Sequence, residues 1–406
     1  MKIVKGITLQ LYPNQKQRNQ LQQMFGNDRF VWNKMLGMAN DRYENNPGSS
    51  FVGSYSMNYL LKALKIEYPF LKESDSSSLQ VVTHNLDQSF QMLFKHRGGH
   101  PRFQSRKSAK KSYTGKSKIT VIAKRYLRLP KLGYIKSSKT GRLLNGKIKR
   151  YTIALLPTGK YQLSINLECE SQAFPKTNQQ VGIDLGLSDL MILSDDQLIK
   201  NGKIKKFTTK YLDNQTRLWQ RKFNRRKNKA TDNVRQWNHN HKTVKEDLMD
   251  YTNWQRAKQI KAKYQDKAKH QRYAYLQTWT TKLVKTYDVI VIEDLKVKNM
   301  MKNHNLANSI SHASWRMIRD MLTYKCQWYD KQLIIVDSRN TSRICHSCGR
   351  LQKQFKNLTT KEWLQTRYWT CESCNQEQDR DVNAALNILQ RGQNKLNNWM
   401  AGEQRF

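Results

Sequence analysis

The chain has 406 residues, with 73 Lys and Arg against 31 Asp and Glu, a formal net charge of +42. Such an excess repels itself unless a polyanion neutralises it, so the expected partner is nucleic acid or, failing that, an acidic membrane surface. No apolar run approaches the roughly 18 residues of a transmembrane helix, and Met1-Lys2-Ile3-Val4-Lys5 lacks the apolar core of a secretory signal.

Ile7, Leu9 and Leu11 alternate with polar residues, which predicts a strand over Ile3 to Tyr12, after which Pro13 opens a helix. Two helical stretches are expected from Asn14 to about Asn46, separated near Gly26 to Asp28, with Phe30, Val31, Met35 and Leu36 on an apolar face. They read as a helix-turn-helix or a plain helical hairpin, and the hairpin is the simpler assignment. Helical periodicity continues through Met57 to Leu71 and Leu79 to Phe94.

From His96 to Lys116 the sequence has no acidic residue. Arg102, Arg106, Lys107, Lys110 and Lys111 interleave there with Phe103 and Tyr113, the pattern of a phosphate-contacting strap more than of a solvated loop. Strand-rich sequence follows from Ile119 to Leu167, where Tyr151 to Leu156 and Tyr161 to Leu167 form a predicted hairpin.

Val181-Gly182-Ile183-Asp184-Leu185-Gly186 is a short apolar strand ending in an acid. Two long helical regions come next, Lys205 to Lys229 and Tyr251 to Tyr287. The first carries Arg217, Arg221, Arg225 and Arg226 around an interrupted stripe of Leu212, Trp219 and Phe223, and so one-sided a basic face is expected to follow a phosphate backbone. Val289-Ile290-Val291-Ile292-Glu293-Asp294 reads as a central strand buried on both faces. A helix from Ser309 to about Asp330 and a strand from Leu333 to Val336 complete this half.

Four of the six cysteines then fall in one span, as Cys345-x-x-Cys348 and Cys371-x-x-Cys374. Paired Cys-x-x-Cys knuckles are the sequence form of a four-thiolate zinc ribbon, a closed structural site for one Zn²⁺. Asn375 sits where such a knuckle usually has Gly, and Asn is the next-best residue for positive φ. Cys169 and Cys326 stand apart, and this usage fits a reducing cytoplasm. After the second knuckle, Asp379-Arg380-Asp381 opens an amphipathic helix.

Asp184, Glu293 and Asp381 stand at strand ends and a helix start, from which carboxylates can reach one rim of a sheet. Such a cluster suits two Mg²⁺ ions and phosphodiester cleavage. The residues alone do not separate Asp379 from Asp381 or Glu293 from Asp294, and any one acid taken singly reads better as a cap.

The chain resembles the TnpB family, the OrfB-type proteins of bacterial insertion sequences, and more distantly the type V CRISPR effectors. The resemblance rests on Leu11-Tyr12-Pro13, Arg29-Phe30-Val31-Trp32-Asn33, Pro101-Arg102-Phe103, Leu129-Pro130-Lys131-Leu132-Gly133 and Gly182-Ile183-Asp184-Leu185-Gly186. It extends to Glu293-Asp294-Leu295 with Asn299-Met300, Ser314-Trp315, the ribbon and Asp379-Arg380-Asp381-x-Asn383-Ala384-Ala385. It implies an α/β multidomain protein with an RNase H-like (RuvC) nuclease domain over 180–338 and 377–391, and a zinc ribbon over 339–376. A β-barrel wedge domain over 1–12 and 117–179 would carry a helical recognition insertion, 13–116, and 392–406 would be a polar tail. Asp184, Glu293 and Asp381 fall on the family's catalytic acids. The implied activity is RNA-guided cleavage of double-stranded DNA beside a short motif, by a monomeric ribonucleoprotein whose guide RNA comes from the transposon end. The implied setting is a bacterial cytoplasm, beside the nucleoid. Strand transfer by a transposase and non-catalytic nucleic-acid binding are the competing readings.

Overall fold

A computed structural model describes residues 2–106, 111–143, 146–241, 243–295, 300, 302, 310, 313–355 and 358–403. The chain divides into two compact units, one of 1–170 and 216–263, the other of 171–215 and 264–406. No helix among the described residues is long and apolar enough to cross a membrane.

The first unit is built on strand β1 (Lys2–Tyr12) and helices α1 (Gln15–Asn45), α2 (Ser54–Glu67) and α3 (Ser76–Phe94). The strands β2 (Lys111–Gly115), β3 (Thr120–Ala123), β4 (Tyr126–Leu129), β5 (Gly133–Ser137), β6 (Lys147–Leu155) and β7 (Tyr161–Glu170) join β1 in one antiparallel sheet of order β2-β6-β7-β1-β5-β4-β3. β1 pairs with β7 from Lys2↔Glu170 to Leu11↔Tyr161, and its last two residues also pair with β5. The predicted alternation holds: Leu9 and Leu11 are buried and Ile7 packs beside them. The sheet is open, however. Its outer strands β2 and β3 are not paired with each other among the described residues, so the expected barrel is replaced by a sheet covered by Leu21, Met24 and Phe25 of α1.

Helix α1 runs unbroken through Gly26 to Asp28, where a turn was expected. The polar residues that suggested the turn are used in packing instead. Asn27 donates from Nδ2 to Ser74 Oγ at 2.8 Å, and Asp28 accepts from Ser78 Oγ at 3.0 Å. The start of α1 is fixed by a capping box between Asn14 and Gln17.

Tyr113, assigned to the basic strap, is a buried residue of β2 packed against Tyr151. β2 begins at Lys111, so the sheet takes up residues expected in the strap and the helical segment.

In the second unit, β8 (Gln180–Asp184), β9 (Asp189–Leu193), β10 (Lys203–Lys205), β11 (Val289–Glu293) and β12 (Gln332–Val336) form a sheet of order β10-β9-β8-β11-β12, with β8, β11 and β12 parallel. Before β11 in the chain come helix α4 (Lys210–Asn240), most of which belongs to the first unit, and helix α5 (Thr252–Thr286), whose residues from 264 on belong to the second; α6 (Trp315–Tyr329) lies between β11 and β12. β11 shows why a continuous apolar run belongs in the centre. Ile290 and Ile292 face a core with Ile318 and Leu322 of α6, while Val289 and Val291 face Ile388 on the opposite side. Ile388 belongs to α8 (Arg380–Glu403), which follows α7 (Thr360–Gln365) and the small antiparallel pair β13 (Tyr368–Thr370) and β14 (Glu377–Asp379). Residues 392–403, expected as a polar tail, are the last turns of α8, and Leu396 packs into this second core.

Candidate active site and cysteine cluster

Asp184 ends β8 and Glu293 ends β11, and the parallel register Ile183↔Ile292 places the two acids side by side at one sheet rim. Asp381 lies in the first turn of α8, which crosses the sheet at Gly182. A Cβ at Gly182 would lie 2.1 Å from the Ala385 carbonyl oxygen and 2.6 Å from the Leu389 nitrogen, so only glycine admits the helix at this distance.

The neighbouring acids have other partners. Asp379 Oδ1 accepts from the backbone N–H groups of Asp381 (3.0 Å) and Val382 (3.2 Å), capping α8, while its Oδ2 pairs with Lys203 Nζ at 2.7 Å. Asp294 is exposed and paired with Arg319. Geometry thus assigns Glu293 and Asp381, and not Asp294 and Asp379, to the rim.

Burial, followed by the charges of Glu293 and Asp381, pushes the Asp184 carboxyl up to about 8, against the opposing influence of Arg380. Burial likewise raises Glu293, opposed by the Thr341 hydroxyl that donates to it and by Arg391. The charges of Glu293 and Asp381 thus bear on Asp184, and carboxylates gathered at one rim are a setting for which a divalent cation is the fitting counterion. Among the described residues they are not drawn as close as the thiols described below.

Asp381 is held at both oxygens. Arg380 donates to Oδ1 from Nε (2.9 Å) and Nη2 (2.8 Å), and Arg367 donates to Oδ2 from Nη1 at 2.7 Å. Asn383 and Asn387, on the same helix, donate to the carbonyls of Ile344 and Thr341, tying the chain that enters the first knuckle to α8. Arg380 was in view in the sequence between two acids. Thr341 and Arg367 carried no comparable signal, because their roles arise only when the ribbon folds back onto the rim.

The four cysteines converge. All four sulfurs lie within 4.8 Å of one another, with Cys345–Cys374 at 3.7 Å and Cys348–Cys371 at 3.6 Å. A Zn–S bond of about 2.3 Å in a tetrahedron puts sulfurs about 3.8 Å apart, so the donor set fits zinc. The two knuckles share one backbone geometry. Gly349 (φ +71) donates to the Cys345 carbonyl, and Asn375 (φ +56) donates to that of Cys371. Asn375 therefore fills the glycine position in the left-handed conformation expected of it.

Of the basic candidates, Arg102, Arg106 and Lys111 are exposed, and Lys107 and Lys110 lie outside the described residues. The strap backbone is fastened to α1 by Trp32 Nε1 donating to the Arg102 carbonyl and by a reciprocal pair between Asn33 and Gln104. On α4, Arg217, Arg221 and Arg225 recur at helical spacing on an exposed face. Arg226 is half-buried and donates to the Asn253 carbonyl at 3.4 Å, which sets it apart from that row. Phe223 packs toward Trp254 of α5, accounting for part of the apolar stripe.

Three family models match the chain: a "Helix-turn-helix domain" over residues 1–47, the OrfB/IS605 "Probable transposase" model over 164–304, and a Cas12f1-like TNB domain over 315–388. A Streptomyces pristinaespiralis protein described as "Putative RNA-guided DNA endonuclease" is 29% identical, over 96% of this chain and 90% of its own. The Escherichia coli K12 protein "Putative RNA-guided DNA endonuclease InsQ" is 28% identical, over 97% of this chain and 93% of its own. Among solved structures, a Cas12f1–sgRNA–target DNA complex matches with a TM-score of 0.55 at 12% identity, covering 95% of this chain and 98% of that one, a likeness of fold.

Proposed function

We propose that this chain, a TnpB-type protein by its family-model matches and its near-full-length relatives, is an RNA-guided DNA endonuclease of RuvC-like type. The observation that carries the reading is the meeting of Asp184, Glu293 and Asp381 at one sheet rim in a strongly basic chain. These acids would hold Mg²⁺, because hard carboxylate oxygens suit it. Divalent ions bound there would stabilise charge on the attacking and leaving oxygens of a phosphodiester.

The chain's own residues do the positioning. Burial limits water's access to Glu293 and Asp381, Arg380 fixes Asp381, and the Thr341 hydroxyl orients Glu293. The four thiolates would hold one structural Zn²⁺, cross-linking the segment that carries Thr341 and Arg367. Exposed arginines on α4 and the strap would contact phosphates of guide RNA or target DNA, with the protein acting in the cytoplasm as a monomeric ribonucleoprotein.

The test is to co-express the protein with its flanking element end, sequence the RNA that copurifies, and supply matching DNA with Mg²⁺. A discrete RNA and cleavage that Asp184→Ala abolishes, with RNA binding intact, are expected. Heterogeneous RNA, or cleavage surviving in Asp184→Ala, would overturn the reading. The "Probable transposase" description of one matched model favours strand transfer as the second reading, which would yield DNA ends joined to a new strand instead of free ends.

A further inference from the structure

Asp381 is held by two arginines in very different settings. The Arg380 side chain is 10% exposed, its third nitrogen, Nη1, donates to the Trp363 carbonyl at 2.7 Å, and its guanidinium lies over the Trp363 ring at 5.4 Å. It is locked in place. The Arg367 side chain is 44% exposed and is held by Asp381 Oδ2 at 2.7 Å and by Ser188 Oγ at 2.9 Å.

We propose that Arg367 is a displaceable counter-cation for Asp381, occupying the side of Oδ2 that a divalent ion takes when the acid cluster is loaded. The inference rests on the metal-dependent reading of this rim and adds to it a residue that sets the affinity for metal. A guanidinium in contact with Oδ2 opposes a second cation at the same oxygen by direct repulsion, so the two compete. Arg367 is the one to yield, because its guanidinium is solvent-accessible and the buried Asp381 stays paired with Arg380 once it leaves. Arg380, by contrast, holds Oδ1 whether or not metal is bound. Ser188, in the turn between β8 and β9, is the second anchor of the guanidinium in its paired position, so loss of that bond also favours release. Arg367 immediately precedes β13 inside the ribbon, so the cysteine cluster fixes the segment from which this cation reaches Asp381. Arg367 is therefore a positioning residue, acting through Asp381.

The experiment is a Mn²⁺ titration of the full-length, zinc-loaded protein, with free Mn²⁺ read by electron paramagnetic resonance. Binding that Asp184→Ala eliminates in the same preparation defines the rim sites. Arg367→Gln is expected to tighten those sites by roughly two- to fivefold, the worth of an ion pair with one solvent-accessible partner, and Arg367→Lys to leave them near the parent value. Ser188→Ala, which removes only the second anchor, is expected to shift affinity in the same direction and carries the test if Arg367→Gln loses its zinc. Unchanged or weaker Mn²⁺ binding at rim sites that are present overturns the proposal alone. Absence of any Asp184-dependent Mn²⁺ site in the parent overturns the metal-dependent reading with it.

Discussion

Replacing Gly182 by alanine tests whether the helix that carries Asp381 is seated on the sheet as closely as the geometry requires. The added methyl would stand 2.1 Å from the Ala385 oxygen, 2.6 Å from the Leu389 nitrogen and 2.9 Å from Leu389 Cβ. Ordinary carbon contacts begin near about 3.5 Å, so α8 must withdraw by about 1 Å or the strand must bend. Two of the three obstructing atoms are backbone, and no rotamer change relieves them. Overpacking of this kind costs about 1–3 kcal/mol, which for a unit of this size corresponds to roughly 2–12 °C in Tm. The effect on chemistry should exceed the effect on folding, because a displacement of about 1 Å can cost about 100-fold in rate. The assay is Mg²⁺-dependent DNA cleavage by the purified ribonucleoprotein, with calorimetry and RNA binding alongside. Gly37→Ala is the control: no atom lies within 4 Å of its Cβ position inside α1, so alanine there should raise stability by about 0.5–1 kcal/mol. Cleavage by Gly182→Ala at the parent rate, with an unchanged Tm, would refute the seating of α8 and with it the placement of Asp381.

Glu293→Gln should abolish cleavage while leaving RNA binding within twofold; collapse of RNA binding would make the acid structural. Cys371→Ser should remove the zinc, about one ion per chain, and expose 341–379 to proteolysis, and an unchanged zinc content by atomic absorption would sink the ribbon. Changing Arg217, Arg221 and Arg225 together to Gln should flatten the salt dependence of nucleic-acid binding by up to about three log units per log unit of salt, whereas an unaltered slope would remove α4 from the contact surface. Burial, partly opposed by the Ser78 hydroxyl and reinforced by the charge of Asp75, raises Asp28 to about 7. The folded chain then holds a proton that the unfolded chain releases above the ordinary aspartate value of 3.8, so stability should fall as pH rises from about 4 to 7. Asp28→Asn should lessen that slope and melt higher than the parent at pH 8, and identical pH profiles by thermal melting would refute the assignment.

The parts of this molecule that were legible in the sequence are those whose physics is local. The alternation in Ile7, Leu9 and Leu11 marks a half-buried strand, and the unbroken run 289–292 marks a strand covered on both faces. Each is decided by its own side chains, and each stands where the periodicity put it. The two Cys-x-x-Cys knuckles are equally local, down to the left-handed Asn375. Readings that depended on distant partners fared differently. Gly26-Asn27-Asp28 has the composition of a turn, yet Ser74 and Ser78 satisfy its polar groups and the helix continues. Tyr113 looked like a stacking aromatic because its sequence neighbours are basic, whereas pairing of β2 with β6 turns it into the core.

The choice of acids follows the same logic and explains why the carboxylates could be picked out as candidates while their supports could not. Asp379 and Asp381 are chemically equivalent in sequence, but only one residue can cap α8, and the cap fixes which acid faces the rim two residues later. That distinction is made by backbone N–H groups, which carry no sequence signature. The supports come from farther away: Thr341 lies 48 residues from Glu293, and Arg367 lies 14 from Asp381. Both belong to the segment closed by the cysteines, so the cluster that was easiest to recognise also organises the contacts that were hardest to foresee. Zinc loss should accordingly disturb Glu293 and Asp381 together, even though no cysteine touches either carboxylate directly.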